Sequence, residues 1–121
     1  MAKSVCMLVR HAPYGMIHAA EAVRHINGAV ANGFNTTAVF VDDGVYVLKT
    51  QQQEAETGFT NLGNALADAL KKLEPKANML VHRQSAVRRG LSEEDLLPGV
   101  QWIDDAQLAD IMIDNANLML F

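Results

Sequence analysis

The chain has 121 residues, half of them apolar, and a formal net charge of −4 at pH 7. We expect one folded domain over residues 1–121, because the length suits a single core and the apolar fraction excludes a disordered protein. The charge is weakly acidic and no long basic run occurs, which argues against direct binding of nucleic acid.

The cellular setting follows from what the sequence lacks. No apolar stretch approaches the roughly 18 residues that a membrane span needs, and the apolar run near Met1 is too short for a signal peptide. Cys6 is the single cysteine and has no internal disulfide partner. A reducing compartment fits such a chain best, so we expect a cytoplasmic protein without membrane contact.

The chain alternates between strand and helix patterns. Apolar runs predict strands at residues 4–9, 36–41, 79–81, 100–103 and 118–121, and we expect the first two to be buried. Apolar spacing predicts helices at residues 16–31, 59–73, 85–91 and from Asp105, which we expect to cap the last of them. Residues 45–48 are apolar but suit a strand or a helix equally. Residues 49–58 are polar and predict a surface loop.

This order predicts an α/β fold of three layers, α/β/α. Strands that alternate with helices form a mainly parallel sheet, here of five strands, with helices on both faces. In the first helix, a broad apolar stripe includes Ala20 and Val23, so we expect both to be buried and an arginine at either position to disturb packing.

Candidate functional residues follow the predicted strands. In open parallel sheets, binding residues collect outside the carboxyl ends of the strands. The candidates for binding a partner or an anion are Pro13, Tyr14 and Gly15 after the first strand, Asp42, Asp43 and Gly44 after the second, and His82, Arg83, Ser85, Arg88 and Arg89 after the third.

Each candidate group has a plainer interpretation. His82 and Ser85 have the spacing of a nucleophilic pair, yet Ser85 also suits a helix cap, which we favour. The two aspartates suit cation binding, acid–base catalysis or simple turn chemistry, and we favour the turn. Cys6 lies mid-strand, where a thiol is usually a small buried apolar group.

The sequence offers weak evidence for metals or nucleotides. His18, Glu21 and His25 lie on one side of the first helix, but a closed zinc site needs a fourth ligand, so we favour a polar stripe. No phosphate-binding loop with Gly-Lys-Ser or Gly-Lys-Thr occurs. We therefore expect no metal and no cofactor.

The motifs together resemble those of the DsrE/DsrF/TusC group of sulfur-relay proteins, and the likeness covers nearly the whole chain. The matching segments are Arg-His-Ala-Pro-Tyr-Gly at residues 10–15, Glu-Ala at 21–22, the segment 41–48 with Asp-Asp-Gly-Val-Tyr, and the segment 85–96 with Arg-Gly-Leu. The short apolar ending at Phe121 matches as well. Of the branches, the chain looks most like the DsrF or TusC subunit.

The resemblance implies a function. Members share an α/β/α fold with a mostly parallel five-stranded sheet, and they form DsrEFH or TusBCD complexes or homo-oligomers. The complexes pass persulfide sulfur between cysteines, for sulfur oxidation or for thiolation of the tRNA wobble uridine. The expected partners are DsrE/TusD-like and DsrH/TusB-like subunits, or further copies of this chain.

One departure from the family pattern decides the expected role. Sulfur-accepting members carry a cysteine just after the third strand, eight residues before the glycine of Arg-Gly, and here His82 occupies that position. An imidazole cannot carry a sulfane sulfur as a thiolate does. We therefore expect a non-catalytic subunit. The alternatives are a sulfurtransferase that uses Cys6 and a small-ligand module of flavodoxin type.

Overall fold

A computed structural model describes residues 4–13, 17–49, 77–115 and 117–121 of the chain. The strands are β1 (Ser4–Val9), β2 (Asn35–Phe40), β3 (Ala77–His82), β4 (Gln101–Ile103) and β5 (Leu118–Leu120). The α-helices are α1 (His18–Ala31), α2 (Arg83–Arg88) and α3 (Asp105–Asp114), and 3₁₀ helices span Asp42–Leu48 and Glu93–Asp95.

The five described strands form one sheet in the order β4-β3-β2-β1-β5, and every pair is parallel. Parallel pairing aligns all the strands, so their carboxyl ends share one edge of the sheet. The predicted sheet of five parallel strands is thus confirmed, with strand bounds that differ by a few residues.

The sheet is covered on two faces, because side chains alternate along each strand. Met7 and Phe40 pack on one face in a cluster with Ile26 of α1. Cys6 and Leu80 belong to a second cluster on the other face. The α3 residues Leu108, Ile111 and Met112 pack against that second cluster. The predicted α/β/α arrangement of layers is therefore confirmed.

The segment after β2, which the sequence left open between strand and helix, is a 3₁₀ helix. Val45, Val47 and Leu48 are buried in the same cluster as α1. Their burial explains the apolar run, since a 3₁₀ helix that lies over a sheet end needs no strand partner. The predicted helix at residues 59–73 and most of the predicted loop at 49–58 lie outside the described residues.

One expectation about α1 is wrong. Val23 is buried as predicted, but Ala20 is exposed. The buried residues of α1 follow a narrower stripe than the sequence suggested: Ala19, Ala22, Val23, Ile26 and Val30. A small residue in a helix carries little information about its face, because alanine suits both the core and the surface.

Two helix starts also differ from expectation. Helix α2 begins at Arg83, so Ser85 lies inside its first turn and is not its cap. Helix α3 is capped by Asp104, whose carboxylate accepts from Gln107 N–H at 2.8 Å. Neither Ser85 nor Asp105 therefore caps a helix. Within the described ranges, no helix is long and apolar enough to cross a membrane.

Gly44 lies where the chain passes closest to β1. A Cβ atom added at Gly44 would be 2.0 Å from the carbonyl oxygen of Val9. That oxygen also accepts from Val41 N–H at 3.0 Å, which fixes the two segments against each other. Only glycine fits this contact without a backbone shift.

We expect Gly44→Ala to lower the free energy of unfolding by about 1–3 kcal/mol, the usual cost of overpacking a core contact. Gly28→Ala is the matched control, because no atom lies within 4 Å of its added Cβ. Within a helix that change should stabilise by about 0.5–1 kcal/mol. Urea unfolding measures both variants, and equal stability of Gly44→Ala and the wild type would contradict the close contact.

Candidate functional site

The candidate site lies at the carboxyl edge of the sheet, where three strand ends meet. Asp42 follows β2, His82 ends β3, and Asp105 begins α3 just after β4. Because β2, β3 and β4 are adjacent and parallel, residues far apart in sequence come together there.

A continuous row of hydrogen bonds joins these strand ends. The backbone N–H of Asp42 donates to Ser85 Oγ at 2.9 Å. Ser85 Oγ lies 2.7 Å from His82 Nδ1, and His82 Nε2 lies 2.5 Å from Asp105 Oδ1. The row therefore connects β2, β3, α2 and α3 through one imidazole.

The partners fix the direction of two of the three bonds, and the direction of the bond between His82 and Ser85 follows the charge state of the imidazole. A carboxylate only accepts, so His82 Nε2 carries the proton and donates to Asp105. In the neutral imidazole Nδ1 is then an acceptor, and the Ser85 hydroxyl donates to it. Ser85 Oγ in turn accepts the Asp42 N–H, so the row is consistent from end to end. Both ring nitrogens of His82 are thus used within the chain.

The row runs from the interior to solvent. Ser85 is only 4% exposed. The side chain of His82 is 14% exposed and that of Asp105 is 68% exposed. A partner that approaches this edge therefore meets a carboxylate first, with the imidazole behind it.

The turn after β2 is held in an unusual backbone conformation. Asp42 has a φ of 49°, in the left-handed region that few residues other than glycine adopt. Its N–H bond to Ser85 and the ion pair of Asp43 with Arg89 at 3.0 Å hold the turn from two sides. The favoured interpretation of Asp42 and Asp43 as turn residues agrees with these contacts.

The three arginines of the candidate site differ in their contacts. Arg89 bonds Asp43 and also donates to the Ser85 carbonyl oxygen at 3.1 Å. The Arg83 guanidinium lies 5.4 Å from the centre of the Trp102 ring, in a cation–π contact. Arg88 is exposed on the last turn of α2. Arg89 therefore supports the site, whereas Arg83 and Arg88 face outward.

Cys6 lies apart from this edge. It is fully buried in the middle of β1, on the face that α3 covers. Burial raises the pKa of the Cys6 thiol, because desolvation disfavours the thiolate. The thiol is therefore protonated at neutral pH and has no access to solvent.

The loop after β1 is described only in part. Pro13 is half-buried, and Tyr14 and Gly15 lie outside the described residues. The neighbouring His11 stacks on His18 of α1 with ring centres 4.2 Å apart. The contact joins the end of β1 to the start of α1.

The three possible metal ligands of α1, His18, Glu21 and His25, do not converge on a common point. Glu21 pairs with Arg24 at 2.6 Å, and His25 Nδ1 donates to the Glu21 carbonyl oxygen at 2.7 Å. His18 instead stacks on His11. Among the described residues, no group of three or more His, Cys, Asp or Glu side chains could hold a metal ion.

The sequence did not identify Asp105 as a member of the site. Asp105 lies 23 positions beyond His82 in the sequence. Because it stands at the start of a helix, capping was a sufficient explanation for it. Asp104 fills that role instead, through the pair of bonds with Gln107. The sequence did contain one signal, the pair Asp104 and Asp105 at the start of α3. Because a helix needs only one cap, the second carboxylate is left for another role.

We expect Ser85→Ala to lower the free energy of unfolding by about 1–3 kcal/mol, because the Asp42 N–H and His82 Nδ1 both lose their partner. Gln84→Ala is the matched control on the exposed side of the same helix and should change stability by less than about 0.5 kcal/mol. Thermal or urea unfolding measures both. Equal effects of the two substitutions would mean that the row contributes nothing to the fold.

Known proteins resemble this chain in sequence over most of its length. The sequence profile of the DsrE/DsrF-like family matches residues 3–121. A TusC homolog of Vibrio vulnificus is 34% identical over 116 residues, which cover 94% of this chain and 95% of that protein. The intracellular sulfur oxidation protein DsrF of Allochromatium vinosum is 34% identical over 95 residues, covering 78% and 68% of the two chains.

A solved structure supports the same fold. The crystal structure of the ychN protein from E. coli superposes with a TM-score of 0.79 over 100% of both chains, at 19% sequence identity. At that identity the match speaks for the fold alone. Together with the family profile and the two relatives, it leads to one conclusion: this chain belongs to the DsrE/DsrF-like family.

Proposed function

We propose that this chain is a non-catalytic, DsrF/TusC-like subunit of an intracellular sulfur-relay complex, in sulfur oxidation or in tRNA thiolation. Its partners would be DsrE/TusD-like and DsrH/TusB-like subunits, or further copies of itself. The observation that carries the proposal is His82, an imidazole with both nitrogens bonded internally. The resemblance to the family implies a cysteine at this position in members that accept sulfur.

Sulfur transfer makes a specific demand on the protein that carries the sulfur. An acceptor thiolate attacks the outer sulfur of a donor persulfide, a new S–S bond forms, and the donor leaves as a thiolate. The acceptor must therefore be deprotonated and exposed. Cys6 meets neither condition, because it is buried and its pKa is raised.

The His82 edge suits contact with a partner better than it suits chemistry. Its exposed members are the Asp105 carboxylate and the outer side of α2, where Val87 is 61% exposed beside Arg88. Exposed apolar side chains with polar residues around them are typical of a protein contact surface. We infer that this edge docks beside the reactive thiol of a cysteine-bearing subunit.

The sulfur-carrier test compares the wild type with a restored thiol. With a persulfide donor, the native wild type should gain no sulfur atom by mass spectrometry, and Cys6 should react with a thiol reagent only after unfolding. His82→Cys should gain one sulfur atom, because its thiol would lie at a strand end that faces solvent.

Val87→Cys is the matched control for position. Its thiol would be more exposed than that of His82→Cys, but it lies on the side of α2 and away from the strand end. We expect it to take up less sulfur than His82→Cys, because residue 82 stands at the N-terminus of α2, where a thiol is more readily deprotonated, whereas residue 87 lies in the last turn. Uptake by native Cys6 would overturn the non-catalytic role, and equal uptake by the two variants would remove the special position of residue 82.

A serine hydrolase is the second candidate, because Ser85, His82 and Asp105 are bonded in the order of a catalytic triad. Two observations count against it. Ser85 is almost fully buried, and its oxygen already accepts the Asp42 N–H. A nucleophile needs room for a substrate carbonyl beside its oxygen.

A fluorophosphonate probe separates the two functions, since it labels activated serines. We expect no labelling of the native protein, as for Ser85→Ala, because the buried hydroxyl is unreachable. Labelling of the wild type that Ser85→Ala abolishes would favour the hydrolase.

A further inference from the structure

The end of helix α1 carries a reactive pair of residues, Asn32 and Gly33. Asparagine before glycine is especially prone to lose its side-chain amide, because glycine places no side chain beside the backbone nitrogen that attacks. The sequence contains such a pair twice, as Asn27 with Gly28 and as Asn32 with Gly33. We propose that Asn32 is a site of spontaneous deamidation in the folded protein and that Asn27 is protected. The proposal rests on α1 alone and is independent of the sulfur-relay function.

The reaction needs only the chain and water. The backbone nitrogen of Gly33 loses its proton to hydroxide and attacks Cγ of Asn32. A bond forms between that nitrogen and Cγ, the bond from Cγ to Nδ2 breaks, and Nδ2 leaves as ammonia after it takes a proton from water. Water then opens the cyclic imide at either of its carbonyl carbons, which gives aspartate or isoaspartate. No atom is oxidised or reduced, and one amide becomes one carboxylate.

Asn32 and Gly33 lie where the backbone has room to reach the reactive geometry. Asn32 is the C-terminal cap of α1, and both residues are exposed to solvent. Ring closure requires the backbone of Asn32 to rotate until the Gly33 nitrogen meets Cγ. Gly33 has a φ of 84°, and no atom lies within 4 Å of a Cβ added to it, so this rotation meets no packed side chain at Gly33.

Two backbone hydrogen bonds close this end of the helix. Gly33 N–H donates to the Val30 carbonyl oxygen at 3.2 Å, and Phe34 N–H donates to the Ala29 carbonyl oxygen at 3.0 Å. Together they form a Schellman motif. Bonds at the exposed end of a helix open at a lower free energy than those in the core, because few apolar contacts are lost with them. The reaction therefore proceeds through brief opening of the helix end, without unfolding of the chain.

The other pair, Asn27 and Gly28, lies inside α1 and is held more firmly. An N–H group in a helix interior bonds to the carbonyl four residues earlier, so rotation at Asn27 would unwind the last turn. That turn is anchored on both sides, because Ile26 is fully buried and Val30 is 2% exposed. Opening there requires Val30 to leave the core cluster that packs α1 on the sheet. The larger free energy of opening protects Asn27.

Deamidation of Asn32 would weaken the end of α1. The Asn32 side-chain amide donates to the Gly28 carbonyl oxygen at 2.7 Å, a bond that a carboxylate cannot make. The new negative charge would also lie at the C-terminus of the helix, where the carbonyl oxygens already carry partial negative charge. The last turn of α1 contains no basic residue to offset it. The modified helix should therefore open more often at Gly33 and Phe34.

Peptide mapping by mass spectrometry, after incubation of the purified chain at mildly alkaline pH, tests the site. In the native protein Asn32 should convert about tenfold or more faster than Asn27, because its helix end opens more readily. In urea the two should convert at similar rates, since both precede glycine and the helix is lost. Asn32→Gln should lose conversion at residue 32, because glutamine would have to close a larger ring. Asn27→Gln is the matched control and should leave conversion of Asn32 unchanged.

Amide hydrogen exchange tests the effect on the helix. Asn32→Asp reproduces one of the two products without the wait for conversion. The amides of Gly33 and Phe34 should exchange about threefold or more faster in Asn32→Asp than in the wild type, because a hydrogen bond is lost and a charge opposes the helix dipole. The amides of β1 serve as the internal reference and should exchange at unchanged rates.

Three outcomes would overturn the proposal. The first is a native Asn32 that keeps its amide for as long as the unfolded chain takes to lose it, because the helix end would then be closed to the reaction. The second is equal conversion of Asn27 and Asn32 in the native protein, since position on the helix would have no effect. The third is unchanged exchange at Gly33 and Phe34 in Asn32→Asp, which would remove the weakening of α1.

Discussion

Both ring nitrogens of His82 are engaged at once, and the rest of the candidate site depends on that constraint. Asp105 holds Nε2 and Ser85 holds Nδ1, while Ser85 also fixes the turn at Asp42. Hydrogen bonds in such a row support one another, and removing one member leaves a buried group without a partner. The imidazole therefore connects three strand ends.

The candidate site and the thiol of Cys6 lie in different parts of the fold. The carboxyl edge of the sheet is where sulfur would be handled, yet it offers an imidazole and a carboxylate. The only thiol, Cys6, lies inside the sheet, where desolvation keeps it protonated. On the proposed function, this chain would contribute to a relay by shaping a surface beside a partner's thiol, and not by forming a persulfide of its own.

The fold was largely predictable because long apolar runs dominate it. Residues 4–9 have no alternation and match a strand buried on both faces, as β1 is. The prediction that Ala20 is buried was wrong, because alanine occurs both in cores and on surfaces. The 3₁₀ helix at Asp42–Leu48 and the glycine at 44 depend on a contact with Val9, which local patterns do not encode. Asp105 was missed for the same reason: its partner is 23 residues away.

The central claim is that both ring nitrogens of His82 are held in hydrogen bonds. Heteronuclear NMR of these nitrogens tests the claim most directly. In the native protein, His82 Nε2 should carry a proton held in the hydrogen bond to Asp105, and the ring nitrogens should report one fixed arrangement that is lost in the double variant Asp105→Asn with Ser85→Ala. A rapidly exchanging mixture of both tautomers in the wild type, as in a free solvent-exposed histidine, would contradict the account.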